Sequence, residues 1–150
     1  MKRILIATDF SEVAHQLIEQ AALVAEESSE VRVLHVIVGD PEFGGYLPGP
    51  EINRDQAKLQ ETFPSQHQDL ERWAEELRSL GFAAKGVLLK GPTVEAIIGE
   101  AEREQADLIV LGSHGHSAAY TLLLGSVSAG VLKRAPCPLL VVPSKATGSH

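Results

Sequence analysis

The chain holds a single cysteine, Cys137, so no intrachain disulfide can form. Its place between Pro136 and Pro138, at the entrance of an apolar run, points to packing rather than to thiol chemistry. Basic residues are also scarce: 13 Lys and Arg stand against 20 Asp and Glu, a formal net charge of −7. That deficit argues against nucleic acid and against a membrane surface as partners, because binding either polyanion rests on neutralised phosphates. No apolar stretch approaches the roughly 20 residues that a membrane helix needs. Nor is a secretory leader visible, since only a short apolar stretch, Ile4 to Thr8, follows Met1-Lys-Arg before Asp9. A cytoplasmic location is expected. Also lacking is a Gly-x4-Gly-Lys-Ser/Thr loop, and with it the lysine that P-loop proteins set against phosphates. No internal repeat or low-complexity tract is present.

At 150 residues, 44% hydrophobic and 22% charged, the chain is sized for one globular domain, expected over residues 1–143 with a disordered tail at 144–150. Five runs rich in Val, Ile and Leu recur: Arg3–Thr8, Val31–Val38, Ala84–Leu89, Asp107–Gly112 and Leu139–Val142. Most are separated by segments of helical period, an alternation that predicts a parallel sheet with helices on both faces. The first helix is expected to start at Ser11 as N-cap, with Glu12 in its first turn and Val13, Leu17, Ile18, Ala21 and Ala25 on one face. A second stripe is Leu70, Trp73, Ala74 and Leu77. A third, Val94, Ile97, Ile98 and Ala101, follows Gly91-Pro92-Thr93, where proline suits a helix start and Thr93 is the expected cap. The fourth follows Gly125 and carries Val127, Val131, Leu132 and Ala135, with Gly130 in its middle at a cost of about 1 kcal/mol relative to alanine. Residues 39–65 are crowded with glycine and proline and read as a long loop plus a short helix near Ile52–Glu61. Loops of that length are either passive surface or a cover over a site.

The most informative pattern is Gly112-Ser-His-Gly115, followed by Gly125-Ser126. It joins a short apolar strand to a helix start, where glycines let backbone approach a ligand closely. The first amides of that helix lack intrahelical partners and sit at the positive end of its dipole, which makes an anion site that needs no lysine. Strand order must reverse somewhere in such a sheet, and ligands bind at the carboxyl ends of the strands that flank the reversal. The other informative strand end is Ile6-Ala7-Thr8-Asp9-Phe10-Ser11. Asp9 there has two readings, an acceptor for ribose or adenine, or a partner for turn amides. His35 lies inside an apolar strand and reads as a core histidine with its polar atoms satisfied. His114 and His116 lack a carboxylate neighbour in sequence to orient them, so neither is assigned catalysis.

These elements together resemble a universal stress protein of the ATP-binding subgroup. The resemblance rests on Ile4-Leu-Ile-Ala-Thr-Asp9-Phe-Ser11, Val33-Leu-His35-Val36-Ile37, the Gly91-Pro92 turn, Gly-x2-Gly-x9-Gly-Ser, and Ala135-Pro-Cys-Pro-Leu-Leu-Val-Val142. It implies a three-layer, Rossmann-like fold of the adenine nucleotide alpha hydrolase type, with a five-stranded parallel sheet of order 3-2-1-4-5. By the same resemblance Asp9 serves ribose and adenine, Val36 meets the adenine edge through its backbone, Ala7 and Thr8 line the base pocket, and Leu111 is among the nucleotide-binding residues. Gly112 and Gly115 pass near ribose and α-phosphate, while Gly125, Ser126 and Val127 hold the outer phosphates by main-chain N–H and the Ser126 hydroxyl. His116 stands where relatives often carry a basic or polar residue. The phosphate grip there has less charge at neutral pH and leans on backbone amides and Mg²⁺.

Function follows from this as three alternatives. The first is a regulatory protein that binds ATP, ADP or AMP with Mg²⁺, changes its loop or dimer surface, and is read by a downstream protein partner. The second is a slow ATPase or a nucleotidyl or phosphoryl transferase, although the His-x-Gly-His element of related nucleotidyltransferases is replaced here by Thr8-Asp-Phe-Ser11. The third is an interaction module whose pocket stays empty. In each case the last strand, Leu139, Leu140, Val141 and Val142, is an apolar edge expected to pair with a second copy in a homodimer.

Overall fold

The computed structural model describes residues 2–9, 14–38, 52–113 and 125–143. Five strands, β1 (Arg3–Ala7), β2 (Glu30–Ile37), β3 (Ala83–Lys90), β4 (Leu108–Gly112) and β5 (Leu139–Val142), fall within a residue or so of the apolar runs. The helices are α1 (Ala14–Val24), α2 (Gln56–Thr62), α3 (Pro64–Ser79), α4 (Thr93–Arg103) and α5 (Ser126–Arg134). Among the described residues no helix is long and apolar enough to cross a membrane.

Every strand pair is parallel and the order is β3-β2-β1-β4-β5. Alternate residues of the central strand therefore feed two cores. Ile4 and Ile6 join Leu17, Ile18, Leu70 and Leu77 on the face covered by α1 and α3. Leu5 joins Ile97, Ile98, Ala101 and Val131 on the face covered by α4 and α5. Both faces of β1 are covered, which explains why its interior reads as unbroken apolar sequence instead of alternating. The chain winds outward from β1 through β2 to β3, then returns to the other side of β1 for β4 and β5. The reversal lies between β1 and β4, which pair from Ile4 with Leu108 to Ile6 with Val110.

Two expectations are corrected. Thr93 does not cap α4: Pro92, extended at φ −64° and ψ 130°, is the cap residue, Thr93 is the first helical one, and no side chain bonds the cap. The Pro92 carbonyl instead takes the Ala96 N–H at 2.9 Å. Leu132 is 56% exposed, because it lies one position past the buried Val131 and so about 100° around the helix. The short helix expected near Ile52–Glu61 is present as α2, and the residues just before it are tied to the sheet. Asn53 and Lys90 exchange N–H···O bonds of 2.9 and 3.1 Å, an antiparallel bridge on the outer edge of β3. The Gln56 amide donates to the Leu88 carbonyl at 2.6 Å and accepts from the Leu88 N–H at 3.0 Å. The polar groups of this sheet edge are thus met by the chain's own side, which keeps another strand off. Helix α2 begins there, capped by the Asp55 carboxylate on the Lys58 N–H at 3.2 Å. The Ser11 cap, residues 39–51 and the tail 144–150 lie outside the described residues.

Gly130 has a physical reason. A Cβ there would lie 2.8 Å from Val94 Cγ2 and 3.4 Å from Cγ1, so the glycine lets α5 settle directly on α4.

Candidate functional site at the carboxyl ends of β1, β2 and β4

Just past the last paired residues of β1 and β4 come Ala7, Thr8 and Asp9 on one side and Leu111, Gly112 and Ser113 on the other. Thr8 is buried and its N–H bonds the Leu34 carbonyl of β2 at 2.9 Å. Its own carbonyl accepts from His35 Nδ1 at 2.9 Å. A carbonyl only accepts, so Nδ1 carries the proton. His35 is the satisfied, half-buried histidine that its apolar setting predicted, and it ties β2 to the backbone beside Asp9. Val36 and Leu111 are buried in the core beneath α4, and Ala7 packs against that core from the edge.

The start of α5 faces this crevice. Gly125 is the cap residue at φ −65° and ψ 164°, a conformation open to any residue, so the backbone angle does not require glycine. Among the described residues no side chain caps the helix, and its first turn holds no acidic residue, whereas Lys133 and Arg134 occupy its last turn. Its positive end is therefore left without a counter-charge of its own, and its negative end is complemented. The first intrahelical bond runs from the Ala129 N–H to the Gly125 carbonyl at 2.9 Å. The amides of Ser126, Val127 and Ser128 precede it and have no acceptor within the helix. Ser126 is exposed and Val127 half-buried.

Two hydrogen bonds close the ends of segment 114–124. Gly125 donates its N–H to the Ser113 carbonyl at 2.7 Å, and the Ser128 hydroxyl donates to the Gly112 carbonyl. Ser113 in turn donates its N–H to the Val142 carbonyl of β5 at 3.0 Å. The Gly125 N–H is therefore spent on Ser113, which moves the donors available to an anion one residue along, to Ser126, Val127 and Ser128. Ser128 was not singled out from the sequence. The signal was present, a polar residue on the buried stripe between Val127 and Val131. Gly115, His114 and His116 lie outside the described residues.

The opposite end of the sheet is also charged, but its charges are matched. Arg32 pairs with Glu104 at 2.9 Å and Arg3 with Glu30 at 3.8 Å, while the Arg3 N–H donates to Asp107 at 2.8 Å. Cys137 is half-buried against the core under α5; burial pushes its thiol up, and the Asp107 carboxylate adds to the rise. A thiol held neutral in this way is a poor nucleophile, in keeping with a packing role. Among the described residues, no three His, Cys, Asp or Glu side chains converge to ligate a metal.

The family model for the universal stress protein family matches residues 1–143. The chain belongs to the universal stress protein family. Universal stress protein MJ0577 of Methanocaldococcus jannaschii is 32% identical to it over 96% of each chain. A universal stress protein of Thermus aquaticus is 37% identical over 94% of this chain and 98% of its own. The solved structure of MJ0577 superposes with a TM-score of 0.78 at 31% identity, covering 97% of this chain and 98% of its own. More distant universal stress proteins share the fold. One from Arabidopsis thaliana was solved with AMP bound (TM-score 0.67, 19% identity, 97% and 94% covered), and another in complex with cAMP (TM-score 0.67, 21% identity, 95% and 96% covered).

Proposed function

We propose that this universal stress protein is a regulatory module that binds an adenine nucleotide, ATP foremost, and does not turn it over as an enzyme. The observation that carries the reading is the amino end of α5, which among the described residues has no side-chain cap, has no acidic residue in its first turn, and opens beside the β1/β4 reversal. Three amides at a positive helix end suit a phosphate, and the absent Cβ at Gly125 gives it room. Ser126, Val127 and Ser128 donate to the outer phosphates, with the exposed Ser126 hydroxyl beside them. Asp9 accepts from ribose or adenine, the Val36 backbone meets the base edge, and Ala7, Thr8 and Leu111 wall the pocket. Gly112 and Gly115 approach the inner phosphate, and His116 stands near it. Mg²⁺ comes with the nucleotide, held through phosphate oxygens. Support comes from relatives solved with AMP and cAMP.

The module acts in the cytoplasm as a homodimer through β5, and a downstream protein reads its nucleotide state. The two sheet edges differ in a way that favours this assembly. The β3 edge is covered by Asn53 and Gln56, whereas β5 is the last strand on the other side.

Calorimetry on protein freed of carried-over nucleotide tests the reading. Mg-ATP is expected to bind with micromolar affinity, GTP more weakly, and ADP production to stay at background. No binding of any nucleotide would overturn it, and ADP release abolished by one side-chain change would move the chain to the enzymes.

A further inference from the structure

Helix α5 is short, nine residues, and its amino end is only as well placed as the contacts that seat it. Val131, fully buried, fixes it against the sheet, and the Ser128 hydroxyl fixes its first turn to β4. The third direction is toward α4. There Gly130 faces Val94, with room for no Cβ: one would sit 2.8 Å from Cγ2, 3.4 Å from Cγ1 and 3.6 Å from Cβ of that residue. Val94 cannot yield by bending, because its methyls branch directly from Cβ and its rotamer is restricted in a helix. One turn further along α5, Arg134 pairs with Glu95 at 3.2 Å.

We infer that Gly130, through Val94, is a positioning residue that sets where the Ser126–Ser128 amides stand, and so decides how well the site holds the outer phosphates of its nucleotide. The inference rests on the nucleotide reading above. Gly130 lies one helical turn from those amides, and a rigid helix carries a displacement at one turn to the next. The helix-propensity cost of a mid-helix glycine is thereby tied to function. An alanine at 130 would suit the helix better taken alone, yet push it off α4.

The test compares Gly130→Ala, Val94→Ala and the double variant, because Val94→Ala removes the methyls that a new Cβ would strike. Affinities for Mg-ATP and for AMP are measured by calorimetry, and the Ser126, Val127 and Ser128 amide resonances are recorded in nucleotide-free protein. The expected result for Gly130→Ala is ATP affinity lowered about tenfold, the equivalent of one charge-assisted hydrogen bond, with AMP affinity unchanged. The three amides shift in that variant. Both ATP affinity and resonances return toward the parent in the double variant. Equal loss of ATP and AMP would mark general loosening and overturn the inference. So would parent-like binding by Gly130→Ala, or no recovery in the double variant. If the parent binds neither nucleotide, the nucleotide reading falls, and unmoved amides in Gly130→Ala would sink the seating claim separately.

Discussion

The hydroxyl of Ser128 donates to the carbonyl of Gly112, tying the first turn of α5 to the last residue of β4. Both ends of the glycine-bracketed segment are thereby held, and the helix end that meets a ligand is fixed to the strand beside it. Ser128 is 3% exposed, so removing its hydroxyl leaves the Gly112 carbonyl short of a donor in a dry setting. Ser128→Ala is expected to cost about 1–2 kcal/mol in urea unfolding. It also weakens Mg-ATP binding several-fold in calorimetry.

Arg54 and Glu100 form the most buried ion pair described, 2.9 Å apart, with the carboxylate side chain 4% exposed and the guanidinium 30%. Gly99 makes room for it, since a Cβ there would lie 3.2 Å from Arg54 Nη2. Arg54→Ala strands a buried carboxylate and is expected to cost about 3 kcal/mol, the low end for such pairs because Arg54 is partly wet. An Arg54→Met/Glu100→Met double variant recovers much of that loss in the same denaturation assay.

Much of this architecture is legible in the sequence. The five strands announce themselves because β1, β2 and β4 are covered on both faces and must be apolar throughout. That the order reverses somewhere followed from the alternation, and the glycine motif marked one side of it; that the reversal falls between β1 and β4 came from the family resemblance. What was not legible depends on partners distant in sequence. Nothing local says that Gln56 matches the Leu88 backbone, or that Gly130 meets Val94. Thr93 looked like a cap because its chemistry suits one, but the extended Pro92 already held that place. Leu132 looked buried because periodicity cannot fix the edge of a stripe to one residue. The Ser113 carbonyl, which consumes the Gly125 N–H, is a main-chain group that no residue type reveals.

Cys137 is expected to make the fold less stable at alkaline pH. Its thiol is raised above the ordinary value, first by burial and then by Asp107. The folded state is therefore favoured while the thiol is neutral. That contribution is complete below the unfolded thiol value of about 8.5 and is lost as pH climbs through the folded value. Stability measured by urea midpoint from about pH 7 to about pH 10 should fall more steeply in the parent than in Cys137→Ala. Equal slopes would show that the thiol does not contribute.

At the β5 edge, the side chains of Leu139, Leu140 and Val142 pack on the protein's own cores, so replacing them would damage the monomer as well as any dimer. Val141 is half-buried and outside both cores, which makes Val141→Lys the cleaner probe. Light scattering is expected to show a dimer for the parent and a monomer of near-parent thermal stability for this variant. A Val141→Lys dimer would place the interface elsewhere.

The central claim is that a nucleotide's phosphates sit on the amino end of α5. Titrating ¹⁵N-labelled protein with Mg-ATP and following backbone amides tests it most directly. The account predicts the largest shifts at Ser126, Val127 and Ser128, with smaller ones at Thr8, Asp9 and Val36. Shifts confined to the opposite end of the sheet, around Arg3, Arg32 and Glu104, or no shifts at saturating ATP, would contradict it.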